Sequence, residues 1–272
     1  MKFSRIKILL LTGVFCCLAA MVRAEEPGLP MPLREWQNEQ YRVFLFDPHS
    51  KNSGLIQLFY RGIPFLRGEN TFANIQVSGK KILLRAVPQE KYSTRPDGNG
   101  KRLIWQAMKN LPSPENSGKA CATIDKSIHF DDVGFSINGT LTALETLEFN
   151  GYESTPYREQ FSISAEATKD WVLEGTTLLD ENVMAKIPFP YNNEHWALGD
   201  LFFQELRFSG KGVCFSLEAG EGTSIRVIYY EGAHGLEIYL GSLYQASGET
   251  FQLKPGESFQ VSCKMQFKGD TR

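Results

Sequence analysis

The sequence predicts an all-β protein, built as a large antiparallel two-sheet sandwich. Three observations predict it. Apolar and polar residues alternate in one stretch after another, the period-two rhythm of a half-buried strand. Turn residues (Gly, Pro, Asn, Asp, Ser) punctuate these stretches at short intervals, as in sandwiches and barrels. No window of helical length carries a sustained 3.6-residue period. The chain has 272 residues, of which 42% are hydrophobic and 22% charged, with a net charge of -2. Those values exclude a disordered chain, which needs low hydrophobicity and high net charge.

The strands follow in order. Tyr41-Arg42-Val43-Phe44-Leu45-Phe46 stops at Asp47-Pro48, and Leu55 to Tyr60 stops at Arg61-Gly62. Ile75-Gln76-Val77 turns through Ser78-Gly79-Lys80 into Ile82-Leu83-Leu84, a hairpin pattern. Residues 88–101 read as a polar turn, Arg102 to Met108 as a strand, and 110–119 as a loop with Pro112 and Pro114. Further strands are expected over Ile128–Phe130, Gly134–Ile137, Leu141–Phe149, Gln160–Ala165 and Trp171–Leu173. Phe202–Phe208, Val213–Leu217, Ile225–Tyr230 and Leu236–Leu240 continue the series. The last, Phe259 to Phe267, alternates most cleanly. Two segments, Leu33 to Tyr41 and Thr176 to Ala185, read as short helices. No Pro/Ser linker divides the middle, so a single β-sandwich domain over 41–272 is expected, preceded by an extended leader over 25–40.

The first 24 residues stand apart. Lys2, Arg5 and Lys7 precede an apolar run from Ile8 to Val22, and Val22-Arg23-Ala24 offers small residues around a cleavage point. That is the pattern of a secretory signal peptide, too short for a membrane span. An extracytoplasmic location, periplasmic or secreted, is the expectation. The mature part carries no second apolar stretch of spanning length. With the basic leader removed, acidic residues outnumber basic ones, and no basic run or Gly-rich phosphate loop remains. Nucleic acid is disfavoured, because its binding rests on Lys and Arg against phosphates. Nor does any motif call for a cofactor. Cys121, Cys214 and Cys263 remain. They leave open a 214–263 bridge or unbridged buried thiols.

Two stretches carry a family resemblance. One is the early hairpin from Ser53-Gly54-Leu55-Ile56 through Arg61-Gly62-Ile63-Pro64-Phe65-Leu66. The other is the close, Leu253-Lys254-Pro255-Gly256-Glu257-Ser258-Phe259, a Pro-Gly-Glu turn feeding a terminal strand. Their order resembles the galactose-mutarotase-like β-supersandwich of aldose epimerases and of accessory domains in polysaccharide-active enzymes. The resemblance implies two large sheets with a concave face able to hold sugars. Epimerases of that fold use a His general acid and a Glu general base. Neither is matched by motif here, and Glu194-His195-Trp196 with Glu231 and His234 is the nearest arrangement.

Two segments carry the chemistry expected of a site. Pro188-Phe189-Pro190-Tyr191-Asn192-Asn193-Glu194-His195-Trp196 reads as a loop between strands, where binding residues concentrate. Tyr191 and Trp196 supply flat apolar faces for a sugar ring, and Asn192, Asn193, Glu194 and His195 supply planar polar groups for its hydroxyls. An aromatic cap on the core is the plainer reading of that loop. In Tyr229-Tyr230-Glu231-Gly232-Ala233-His234-Gly235, Glu231 and His234 flank a tight turn. They are candidates for an acid–base pair with His195, because His titrates near neutral pH and a carboxylate orients it. A polar hairpin turn is again the plainer reading.

Arg158-Glu159 and Glu145/Glu148 read as ion pairs or solvated strand faces. His49 and His129 read as structural, and Asp131-Asp132 offers too few oxygens for calcium. No Gly-x-Ser-x-Gly, His-Glu-x-x-His or Cys-x-x-Cys is present. Serine-hydrolase, zincin and thioredoxin-like readings therefore lose their main supports. Two functions fit these residues. One is an exported carbohydrate-associated module that binds oligo- or polysaccharide, or packs on a protein partner, without turnover. The other is an epimerase or lyase-like enzyme working through a His/Glu pair.

Overall fold

A computed structural model describes residues 34–45, 56–85, 91–97, 102–116, 118–149, 157–164, 168–187, 201–229, 235–242 and 251–269. The 1–24 leader pattern and His49 lie outside these described residues. Among the described residues, nineteen strands make up the fold. They are β1 (Arg34–Gln37), β2 (Tyr41–Leu45), β3 (Ile56–Tyr60), β4 (Ile63–Val77), β5 (Lys80–Arg85), β6 (Lys91–Asp97) and β7 (Arg102–Pro112). Next come β8 (Ala120–Phe130), β9 (Gly134–Ala143), β10 (Leu147–Phe149), β11 (Tyr157–Ser164), β12 (Val172–Thr177) and β13 (Asn182–Lys186). The series ends with β14 (Phe203–Gly210), β15 (Val213–Ala219), β16 (Thr223–Tyr229), β17 (Gly235–Ser242), β18 (Phe251–Leu253) and β19 (Ser258–Gly269). Every pairing among them is antiparallel.

The pairings resolve into two layers. Layer one runs β1-β2-β3-β4-β11-β17-β16. The far half of β4 pairs with β5 on one side and β10 on the other, and β18 follows β10. Layer two runs β6-β7-β8-β9-β19-β15-β14-β12-β13. Among the described residues, a single pairing of Phe203 with Ile225 joins the layers along one edge. Tight turns close several hairpins. Arg61-Gly62, Ser78-Gly79 and Lys211-Gly212 all sit at positive φ, the twin left-handed pair that a two-residue hairpin loop demands.

Alternation fills the space between the layers. A large core gathers inward residues of both, among them Leu58, Trp105, Phe161, Phe208, Ile238 and Met265. A second core lies under the far half of β4 and holds Ile75, Leu111, Ile124, Leu141, Phe149 and Val261. The Pro-Gly-Glu turn proves to be a clamp on this second core. Glu257 accepts from the Lys254 backbone N–H at 2.7 Å, and the turn exchanges backbone hydrogen bonds with Ala143 at the end of β9.

Several sequence expectations are corrected. Neither short helix forms. Trp36 of β1 packs onto Tyr41 and Phe130, and the Asn38 side chain accepts the Gln40 and Tyr41 N–H groups in a tight turn. Thr176–Ala185 is a hairpin: Thr177 Oγ1 accepts the Leu179 and Glu181 N–H groups, and Asp180 takes φ 59°. The polar turn at 88–101 contains β6, paired along its length with β7. The loop at 110–119 begins late, since β7 runs to Pro112. The strand expected over Leu141–Phe149 is two strands, β9 and β10. Cys121, Cys214 and Cys263 are all free and buried. Burial pushes the Cys121 and Cys263 thiols up. Cys214 points to the other side of β15 from Val213 and Phe215, where the Arg207 Nε–H donates to its sulfur at 3.0 Å. Asp131 caps a turn by accepting the Val133 and Gly134 N–H groups. No helix among the described residues is long and apolar enough to cross a membrane.

Candidate functional site

The residues singled out in the sequence, Tyr191, Asn192, Asn193, Glu194, His195, Trp196, Glu231 and His234, lie outside the described residues. The described chain that flanks them borders one face. After the 188–200 segment the chain resumes at Leu201-Phe202, and the Arg226 guanidinium lies over the Phe202 ring at 5.0 Å. Residues 230–234 join β16 to β17, whose last described pair is Tyr229 with Leu236. Arg226, β16 and β17 all belong to the outer face of layer one.

Strand alternation builds that face. On β11, Tyr157, Glu159, Phe161 and Ile163 are buried toward the sandwich interior, so Arg158, Gln160 and Ser162 point outward. On β17, Leu236, Ile238 and Leu240 join the core, so Glu237 and Tyr239 point outward. Register then sets residues in rows. Phe72, Arg158, Gly241 and Ser224 stand across β4, β11, β17 and β16. Gln160, Tyr239 and Arg226 form the next row, and Ser162, Glu237 and Ile228 the third.

Two features give this face chemical character. First, the Arg158 guanidinium is sandwiched, with its centre 4.0 Å from the Phe72 ring and 4.0 Å from the Tyr239 ring. Stacking between two aromatic faces stabilises the cation and fixes its plane. Gly241, directly opposite, contributes no side chain to the space it occupies. Second, Glu237 is held on one side. Ser162 Oγ donates to Glu237 Oε1 at 2.6 Å. Glu237 Oε2 is buried and has no hydrogen-bond partner among the described residues. A buried carboxylate oxygen without a donor is costly, and such exceptions call for a specific explanation. Tyr239 beside it is only 3% exposed.

A different polar cluster lies on the inner side of the same strands. Glu159, wholly buried, accepts from Lys126 Nζ of β8 at 2.5 Å and from Tyr157 Oη at 2.9 Å. Thr71 Oγ1 of β4 lies 2.9 Å from its Oε2. Burial pushes the Lys126 ammonium down, opposed by the Glu159 charge, and pushes the Tyr157 phenol well up. Gly139 of β9 makes the space: a Cβ there would stand 2.9 Å from Glu159 Oε1 and closer still to Tyr157 Oη. Both oxygens of this carboxylate have donors, and its side chain is fully buried. That is a structural device, not a binding site.

Sequence alone misses both clusters. It reads Arg158-Glu159 as one ion pair or a solvated face, whereas the two side chains point to opposite sides of β11. The signal is present: Glu159 and Lys126 are single charges in otherwise apolar phases, Tyr157-x-Glu159-x-Phe161 and Ile124-x-Lys126-x-Ile128. Glu237 falls in the polar phase of a predicted strand, and only the register shows its neighbours.

Comparison with known proteins addresses the fold. No protein-family model matches the chain, and no curated protein matches it. Solved structures do. A protein from Synechocystis sp. PCC 6803 superposes with a TM-score of 0.57 at 12% identity, over 90% of this chain and 98% of its own. A galactose mutarotase-like protein from Clostridium acetobutylicum gives 0.56 at 9% identity, over 86% of this chain and 94% of its own. Galactose 1-epimerase from Lactobacillus acidophilus NCFM gives 0.54 at 9% identity, over 86% and 93%. The class defined is thus the large antiparallel β-sandwich. Within it, the architecture is the galactose mutarotase-like one, and at these identities the likeness is one of fold.

Proposed function

We propose that this is an exported carbohydrate-binding protein whose ligand docks on the outer face of layer one, across β4, β11, β17 and β16. One observation carries the reading: the buried Glu237 oxygen that lacks a donor among the described residues, two rows along the same face from the ring-stacked Arg158. A carboxylate is acceptor-only, so its natural complement is a hydroxyl. Gln160 and Ser162 add amide and hydroxyl groups on the same face, the mixed polar lining that orients a small ligand. The fold's likeness to galactose mutarotase-like proteins agrees with a sugar, and the leader pattern of residues 1–24 with export. Tyr191, Asn192, Asn193, Glu194 and Trp196 complete the proposed lining from the segment that leads into Phe202. Residues 41–272 act as one domain in this reading.

Turnover is the second reading, favoured by the one-sided hold on Glu237. Ser162 fixes one oxygen and the other has no donor among the described residues, an arrangement that suits a base accepting a proton. In an epimerase or lyase-like reaction, Glu237 joins Glu231 as a candidate carboxylate, with His195 or His234 as the acid.

A glycan-array screen of the protein, expressed from its full sequence, tests the proposal, with Glu237→Gln and Trp196→Ala as controls. Binding to a defined set of glycans, lost in Glu237→Gln, is expected. Silence across the array, or binding untouched by Glu237→Gln, overturns the proposed site. Anomer interconversion or double-bond formation with the bound sugar then separates turnover from binding.

A further inference from the structure

The buried cluster around Glu159 lies directly beneath the outer-face rows. Glu159 sits on β11 between Arg158 and Gln160, and Thr71 sits on β4 between Asn70 and Phe72. Thr71 and Glu159 are themselves register partners. Their hydrogen bond therefore ties together the two backbones that carry Phe72 and Arg158 on the other side. Lys126 fixes that knot to layer two, through an ion pair whose side chains are both 0% exposed. The knot also falls between the two apolar cores: Lys126 separates Ile124 from Ile128, and Glu159 separates Tyr157 from Phe161.

Stability alone does not account for such a feature. A buried ion pair loses hydration that its own attraction barely repays, and well-packed apolar replacements are often as stable. Register does account for it. A one-residue slip of β11 would send Glu159 outward and Arg158 into the interior, away from Lys126 and Phe72. Charges of opposite sign in the apolar phases of β8 and β11 add to the cost of that slip, because it would leave each buried charge without its partner.

We infer that Thr71, Lys126 and Glu159 are positioning residues for the outer-face site, setting the register of β4 against β11 and so the Phe72–Arg158–Tyr239 stack. What they position is the site proposed above, so the sugar affinity rests on that reading, but the stack itself does not.

The test uses the same full-sequence protein without ligand. Ring currents of Phe72 and Tyr239 shift the Arg158 Nε–H resonance upfield, and Arg158→Lys assigns it. Thr71→Val cuts the tie between β4 and Glu159 while leaving the ion pair. It is expected to fold, to move the Arg158 resonance toward its unstacked position, and to weaken binding of the array-selected glycan at least tenfold. Thr71→Ser, which keeps the hydroxyl, is expected to restore both. The double variant Lys126→Met with Glu159→Leu is expected to fold, with a midpoint lowered only by the Thr71 and Tyr157 hydroxyls that lose their acceptor, yet to lose the Arg158 shift. An unmoved Arg158 resonance in Thr71→Val overturns the inference. So does a double variant that unfolds, because the knot would then serve stability. If no glycan binds the parent protein, the site reading fails while the resonance still decides the positioning role.

Discussion

The two sides of layer one hold polar groups of opposite standing. Inward, Glu159 is wholly buried and surrounded by donors from Lys126, Thr71 and Tyr157. Outward, Glu237 of the neighbouring strand has one oxygen tied to Ser162 and the other without a donor among the described residues. Backbone alternation separates the two carboxylates by the thickness of one sheet. The difference teaches how to tell a polar group that specifies a fold from one that awaits a ligand. The first has both oxygens answered from within the protein. The second carries one without a donor among the described residues, the oxygen that the proposed sugar hydroxyl would answer.

The sharpest way to break this contrast is to remove each carboxylate in turn. Glu159→Leu leaves the Lys126 cation buried without its counter-charge, and a loss of about 3–5 kcal/mol is expected in urea unfolding. Glu237→Gln, whose amide oxygen can still accept from Ser162, is expected to change stability by no more than about 1 kcal/mol. Equal losses at the two sites would erase the distinction.

Space around the inner knot gives the next effect. Gly139→Ala drives a methyl into Tyr157 and Glu159, at a cost of about 1–3 kcal/mol for overpacking. Adding Tyr157→Phe removes the nearer oxygen, so the double variant is expected to recover part of that loss.

The pH dependence sharpens the inner side further. Burial holds the Tyr157 phenol above its ordinary value, so the folded chain keeps a proton that the unfolded chain releases above about pH 10. Its stabilisation is therefore complete below about pH 10 and declines as pH rises beyond it. Urea midpoints measured across that window, from mildly to strongly alkaline buffer, are expected to fall less steeply in Tyr157→Phe. An effect as small as that of Glu237→Gln is expected at the Arg42–Glu35 pair on the surface, where Glu35→Ala changes stability by under about 1 kcal/mol.

Much of the fold is legible in the sequence because alternation is a local signal. Phe259 to Phe267 announces an inward Phe259-Val261-Cys263-Met265-Phe267 face, and the structure buries the last four while Phe259 is half-buried. Where local signals mislead, a neighbouring strand decides. Lys91–Asp97 is polar and ends in Pro96-Asp97, yet pairing with β7 holds it extended. Thr176 to Ala185 has apolar residues at helical spacing, but Thr177 folds the segment back on itself. The proposed outer-face site is least legible. Arg158, Phe72 and Tyr239 come from three strands, and only register brings them together. Sequence patterns point instead to loops at 188–196 and 231–234, while the described rows rest on strands whose polar phase looks like any solvated sheet.

The order of the strands in layer two has a consequence for how the chain is made. β19 follows every other strand in the chain, yet it lies between β9 and β15 and pairs with both. Until it is synthesised, β6 to β9 and β12 to β15 are separate ribbons of that layer. A nascent chain stopped before Ser258 has no route to the finished sandwich. Layer two therefore cannot close until residues 258–269 emerge, so its assembly is the last step of making the chain.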